Sequence, residues 1–180
     1  MRSKPMLVVI SGPPGTGKTT LAHQVANAIG CPAICRDEIK EGMVHATPGF
    51  EPSTSDELSL RTLSTFFDVI GLLIGRGTTV VAEAAFQDRL WRPGLSPLLD
   101  LADLRIVHCT VDLDVALDRI TTRAATNPLR QAHETAPDLE AHRRTHTTFD
   151  PITLPVPTLP VDTTTAYNPP LAEILTFLTR

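Results

Sequence analysis

The sequence predicts an α/β fold, doubly wound about a parallel sheet of about five strands. Three observations predict it. Short apolar runs alternate with segments of helical periodicity along the 180-residue chain. Those runs are continuous rather than alternating apolar and polar, as in strands buried on both faces. The first run leads directly into Gly12-Pro13-Pro14-Gly15-Thr16-Gly17-Lys18-Thr19, which fits the phosphate-binding pattern G-x-x-x-x-G-K-[ST] at each fixed position.

Taken in order, residues 7–10 form the first strand, and Leu21, Val25, Ala28 and Ile29 then recur at helical spacing until Gly30 and Pro32 stop the helix. Residues 33–36 make a short second strand with Asp37 at its carboxyl end, the edge where open parallel sheets place ligands. A short helix carrying Ile39, Met43 and Val44 follows, then a Pro/Gly loop at 47–52 suited to wall a substrate. Thr54-x-x-Glu57 reads as a capping box opening a long helix with Leu58, Leu63, Phe66, Phe67, Ile70 and Ile74 on its buried stripe.

Residues 78–82 give the third strand, ending at Glu83, and the punctuation of Pro93, Gly94 and Pro97 predicts an irregular turn before a helix at 97–102. Residues 104–110 are the fourth strand, and Asp112 caps a helix running to Arg119 and Arg123. From 119 to about 146 apolar residues thin out and arginines accumulate, as in a mobile lid. A helix starting at 137–140 and ending near 149, a proline-stiffened connection, a fifth strand at 158–161 and a helix at 169–178 complete one domain over 1–180.

Composition narrows the function. The net charge of −4 argues against a broad surface for duplex nucleic acid. No apolar run approaches the roughly 20 residues of a membrane span. The odd number of cysteines, Cys31, Cys35 and Cys109, without C-x-x-C spacing, predicts reduced thiols and a cytoplasmic setting. Lysine occurs only at Lys4, Lys18 and Lys40, so a lysine within the phosphate pattern is not a compositional accident.

The candidate chemistry follows from residue types. Glycines let the loop turn its N–H groups inward as an anion nest, and the helix after it adds partial positive charge. Lys18 is placed to reach the β and γ phosphates and the Thr19 hydroxyl to hold Mg²⁺. A carboxylate at Asp37 can accept the proton of an attacking hydroxyl. Lys40, one helical turn on, can face the same ligand. Glu83 is a candidate for positioning substrate or a metal-bound water, and Arg89 for an anionic substrate group. Arg119, Arg123 and Arg130 can neutralise charge on a transferring phosphoryl group. His142 and His146 have H-x-x-x-H spacing but no third ligand at a known spacing, so they read as solvated side chains.

These residues resemble the small P-loop kinases, a family that includes chloramphenicol phosphotransferase, the polynucleotide 5′-hydroxyl kinase domain and zeta-toxin-like kinases. Beside the phosphate loop, Arg36-Asp37-Glu38-Ile39-Lys40 resembles the family's R-D-x-x-[RK], Val80-Val81-Ala82-Glu83 its third strand and Val161-Asp162-Thr163 its final V-D-[TS]. Ala84-Ala85 departs from the Thr-Asn of polynucleotide kinases. The resemblance implies a P-loop NTPase fold with strand order 2-3-1-4-5 and an Arg-bearing helical lid. It implies ATP and Mg²⁺ as cofactors, with Gly12, Pro13, Pro14, Gly15, Thr16, Gly17, Lys18, Thr19, Thr20, Arg119, Arg123 and Arg130 holding nucleotide. Lys18, Asp37 and Arg123 would be catalytic, and Asp37, Lys40, Glu83 and Arg89 would meet the acceptor. The expected activity is transfer of the γ-phosphate to a hydroxyl of a small molecule such as an antibiotic, nucleoside or sugar. A polynucleotide 5′-kinase is the alternative, and an ATP-binding switch a second one. The sequence leaves the oligomeric state open.

Overall fold

A computed structural model describes residues 4–51, 56–133 and 136–179, the side chains of residues 130 and 131 excepted. Five parallel strands lie in the order β2-β3-β1-β4-β5. They are β1 (Met6–Ser11), β2 (Ala33–Cys35), β3 (Val80–Glu83), β4 (Asp103–Thr110) and β5 (Thr158–Asp162). The central strand β1 is the continuous apolar run, and its residues 7–11 are all buried. Burial on both faces follows from helices on both sides. On one face Leu7, Val9, Val80 and Ile106 pack with Phe66, Ile70 and Ile74 of α3 (Glu57–Gly75) and with Trp91 and Leu95 of α4 (Asp88–Leu95). On the other, Val8, Ile10, Val107 and Val161 pack with Leu21 and Val25 of α1 (Lys18–Ile29) and Ile174 and Leu178 of α7 (Leu171–Thr179). Alternate side chains of one strand thus feed two cores, each closed by its own helices.

Register brings the chemistry to one edge. Ile10 and Cys35 both lie opposite Glu83, and Ser11 lies opposite His108. The ends of β1, β2 and β3 therefore share one rim, from which the phosphate loop, α2 (Arg36–His45) and Glu83 project. Asp37 lies in the first turn of α2, one residue inside the helix, whose N-cap is Cys35.

Several boundaries differ from expectation. The long helix α3 is capped by Asp56, whose carboxylate accepts from the Ser59 N–H; Thr54, the predicted capping residue, lies outside the described residues. By length and composition α3 could cross a bilayer, yet it lays Phe66, Ile70 and Ile74 on the sheet. In place of the predicted helix at 97–102 the chain forms α4, which starts nine residues earlier, followed by a 3-10 turn at Ser96–Leu98. Pro93 sits inside α4, and the apolar anchors decide the outcome: Trp91 and Leu95 are fully buried. Gly94 is required there because a Cβ would come within 2.2 Å of the Phe67 ring. Trp91, Phe66, Phe67 and Phe86 form an aromatic cluster with edge-to-face pairs at 5.3–5.9 Å between centroids. The Trp91 indole N–H donates to Ser11 Oγ at 3.1 Å, tying that cluster to the residue before the phosphate loop.

Beyond β4, Asp112 caps α5 (Leu113–Thr126) as expected, accepting from the N–H groups of Asp114 and Val115. A 3-10 segment (Pro128–Ala132) and α6 (Leu139–Thr147), capped by Asp138, complete the arginine-rich stretch.

Candidate active site

The phosphate loop is held by its neighbours as much as by its own sequence. Gly12 has φ +145, and a Cβ there would stand 2.3 Å from the Cys109 carbonyl oxygen, so β4 passes too closely for any side chain. Gly15, at φ +85, is crowded in the same way by α5, with Ala116 O at 2.7 Å from its would-be Cβ. The Thr16 hydroxyl donates to the Pro13 carbonyl at 2.9 Å, and the Thr163 hydroxyl donates to the Thr16 carbonyl at 2.9 Å.

Lys18 is 6 % exposed, and its ammonium donates to the Pro13 carbonyl at 2.8 Å and to Thr16 Oγ1 at 3.3 Å. Burial lowers its pKa, while the charges of Glu83 and Asp37 act to raise it. The Thr19 hydroxyl donates to Glu83 Oε2 at 3.0 Å. Glu83 is 4 % exposed, and burial pushes its carboxyl up to about 7, against the pull of Lys18 and with the push of Asp37. The buried ammonium thus rests on two oxygens of the loop, and the buried carboxyl beside it accepts from the loop's last hydroxyl.

Two cavities meet over this loop. The larger, about 610 Å³, is walled by Asp118, Arg119, Thr122, Thr163, Ala166 and Tyr167. The smaller, about 250 Å³, is walled by Lys18, Thr19, Arg36, Asp37, Glu83, Ala85, His133 and His142. Gly15, Gly17 and Arg123 line both. The Asp37 carboxylate is held by Arg36 Nη1 at 3.1 Å and has His133 Nδ1 at 4.0 Å. The other His133 nitrogen, Nε2, lies 3.3 Å from Glu41 Oε1. The histidine thus stands between two acids of α2, and it lines the smaller cavity.

The residues expected to share a site separate into two groups. Lys18, Thr19, Asp37, Glu83 and Arg123 converge on the smaller cavity. Arg119 does not project freely: its guanidinium donates to the Thr163 carbonyl at 2.7 Å, the Thr164 carbonyl at 3.2 Å and the Gly15 carbonyl at 3.4 Å. It binds the wall of the larger cavity to the loop. Arg130 lies in the 3-10 segment, with its side chain outside what is described. Lys40 lines neither cavity. It is 2 % exposed, paired with Asp56 Oδ2 at 2.8 Å and Ser59 Oγ at 2.9 Å, so it ties α2 to the start of α3. Arg89 is exposed on α4, away from both cavities.

Sequence reasoning overlooked His133 and read His142 as solvated, yet both line the smaller cavity. It also overlooked the Thr163 to Tyr167 wall of the larger cavity, which only the V-D-[TS] likeness signals. No spacing pattern marks His133; the packing of the preceding 3-10 segment against α2 brings it there.

The family model described as AAA domain (AAA_33) matches residues 7–152. An uncharacterised protein of Mycobacterium tuberculosis is 29% identical over 131 residues, covering 67% of this chain and 26% of that protein. The chain therefore spans about a quarter of the length of the curated relatives it matches. Among solved structures, a candidate kinase from Chloroflexus aurantiacus superposes with a TM-score of 0.85 at 22% identity, covering 98% of both chains. The APS kinase CysC of Mycobacterium tuberculosis, solved with AMPPNP and APS, superposes at 0.67 with 16% identity over 99% of this chain and 100% of that one. At these identities the superpositions establish the fold, that of the P-loop NTPases.

Proposed function

The chain belongs to the AAA domain family, and on that premise we propose that it is a phosphotransferase moving the γ-phosphate of ATP to a hydroxyl of a small-molecule acceptor. One observation carries the reading. The recess holding Lys18, Thr19 and Glu83 also holds the Asp37 carboxylate, and it opens into the larger cavity across Gly15, Gly17 and Arg123. A nucleoside in the larger cavity points its triphosphate across the loop, and an acceptor in the smaller one meets the terminal phosphate beside Asp37.

In this reading Asp37 takes the proton of the attacking hydroxyl as its oxygen bonds to the γ-phosphorus, and the bond from that phosphorus to the β–γ bridging oxygen breaks to release ADP. Lys18 and Arg123 neutralise the oxygens of the phosphoryl group in transit. Arg36, donating to Asp37 Oδ1, orients that carboxylate. Thr19 and Glu83 are the residues that would hold Mg²⁺, and the fit is supported by two hard oxygen donors 3.0 Å apart at the end of the loop, with room left for phosphate oxygens and water. When bound, the ion would supply positive charge to the phosphate oxygens. The cavity of about 250 Å³ suits a small acceptor.

A screen of hydroxyl-bearing acceptors with ATP and Mg²⁺, read as phosphorylated product by mass, tests the activity. Asp37→Asn is expected to lower transfer to any accepted substrate by about 10²–10⁴-fold with ATP affinity retained. Undiminished transfer in that variant would reject Asp37 as base. A 5′-hydroxyl oligonucleotide included in the screen, with a binding constant that falls steeply with salt, would move the acceptor class to polynucleotides.

A further inference from the structure

We propose that His23, Cys35 and Glu38 form a binding site for one zinc-class divalent ion, Zn²⁺ or Co²⁺, outside both cavities of the phosphotransfer site. The three side chains come from separate elements: His23 from α1, Cys35 from the end of β2 and Glu38 from the first turn of α2. Their donor atoms all lie within 4.8 Å of one another. Cys35 Sγ is 3.8 Å from His23 Nε2, and that nitrogen is 2.6 Å from Glu38 Oε1.

Metal–ligand lengths of about 2.3 Å for sulfur and about 2.0 Å for nitrogen, in a tetrahedron, place neighbouring donors roughly 3.5 Å apart. The sulfur–nitrogen distance is within a few tenths of an ångström of that. The histidine–glutamate contact must open by roughly 1 Å, which the half-exposed side chains, 51% and 46% accessible, can do by rotating without backbone movement. One thiolate, one imidazole and one carboxylate select zinc or cobalt over magnesium, which suits the all-oxygen pair of Thr19 and Glu83. Three protein donors leave the fourth position for water, on the exposed side of His23 and Glu38.

As the sulfur–metal bond forms, the thiol proton leaves to solvent and no oxidation state changes. The bound ion ties α1 to Cys35, the N-cap of the helix whose next two residues are Arg36 and Asp37. This site does not depend on the phosphotransfer reading, because its test needs no substrate.

Co²⁺ titrated into the reduced full chain without nucleotide reads the site by absorption. A single equivalent is expected to give a thiolate-to-metal band in the near ultraviolet and intense four-coordinate visible bands, both displaced by Zn²⁺. A magnesium-type site of oxygen donors gives no thiolate band. Cys35→Ser removes that band and Cys31→Ser keeps it. His23→Ala, a surface change with melting temperature as the check on folding, weakens cobalt binding about tenfold or more. A wild-type titration without a thiolate band, a band that survives Cys35→Ser, or equal affinity in His23→Ala overturns the proposal.

Discussion

The floor of the smaller cavity and its outer wall are built by different means. On the floor, contacts to the loop's own main chain dominate: the Cys109 carbonyl against Gly12, the Thr163 hydroxyl on the Thr16 carbonyl, the Arg119 guanidinium on the Gly15 carbonyl. Such a site depends on where backbone can go, and few residue types other than glycine are tolerated at its tightest points. The outer wall is made by side chains that meet from afar: Arg36 and Asp37 on α2, His133 in the 3-10 segment's wake and His142 on α6. Its geometry depends on how one helical stretch lies over another. A backbone-made floor is shared by any nucleotide the loop can grip, whereas a side-chain-made wall can change its acceptor by changing a few residues.

The division can be tested, from the largest expected effect to the smallest. On the floor, Lys18→Ala is expected to reduce phosphoryl transfer by about 10³-fold and to weaken ATP binding with it. ATP binding at wild-type strength, measured by calorimetry, would place nucleotide recognition elsewhere. Lys40→Ala removes the cation from the buried Asp56 carboxylate and should cost about 3–5 kcal/mol of folding stability in denaturant titration. Nucleotide affinity measured below the unfolding transition should not change, since Lys40 holds helices together and lines neither of the two cavities. A selective loss of acceptor binding in that variant would return Lys40 to the wall.

Glu83 gives a pH signature. Its carboxyl rises from 4.5 to about 7 in the folded protein, so the native state keeps a proton that the unfolded chain has lost. Stability from this group is therefore greatest below pH 4.5 and falls as pH rises to about 7, by about 3 kcal/mol in all. In metal-free protein, Glu83→Gln should flatten that part of the curve of Tm against pH relative to wild type. An unaltered difference curve would mean that Glu83 titrates normally. The smallest effect belongs to the wall: His133→Ala is expected to lower kcat/KM for the acceptor about tenfold, about 1.4 kcal/mol, with ATP affinity unchanged. Loss of ATP affinity there would erase the distinction between floor and wall.

The same contrast explains what the sequence made legible. Parallel pairing and the convergence of Asp37 and Glu83 on one rim follow from apolar runs and a backbone motif, which are local signals, whereas the strand order came with the family resemblance. Helix α4 was misplaced because Pro93 and Gly94 carry the local signature of a break. The deciding force was tertiary: burial of Trp91 and Leu95 and the Phe67 ring over Gly94. Lys40 lies one turn from Asp37, and spacing alone aims both at the same ligand. What spacing does not contain is Asp56, sixteen residues on, which draws the ammonium into the protein. His133 was invisible for a related reason, since its partners Asp37 and Glu41 lie far from it in the chain.

Trp91 is the only tryptophan of the chain, fully buried, and its indole N–H is bonded to the serine that immediately precedes the phosphate loop. The chain thus carries a single tryptophan fluorophore, which can be excited apart from Tyr167, bonded to the residue at the base of the phosphate loop. Its emission reports one location without labelling: a shift on adding ATP reads strain passed from the loop through Ser11, and a red shift in denaturant reads the opening of the aromatic core. With Trp91 as the optical handle, loop occupancy and core integrity can be followed in the same cuvette.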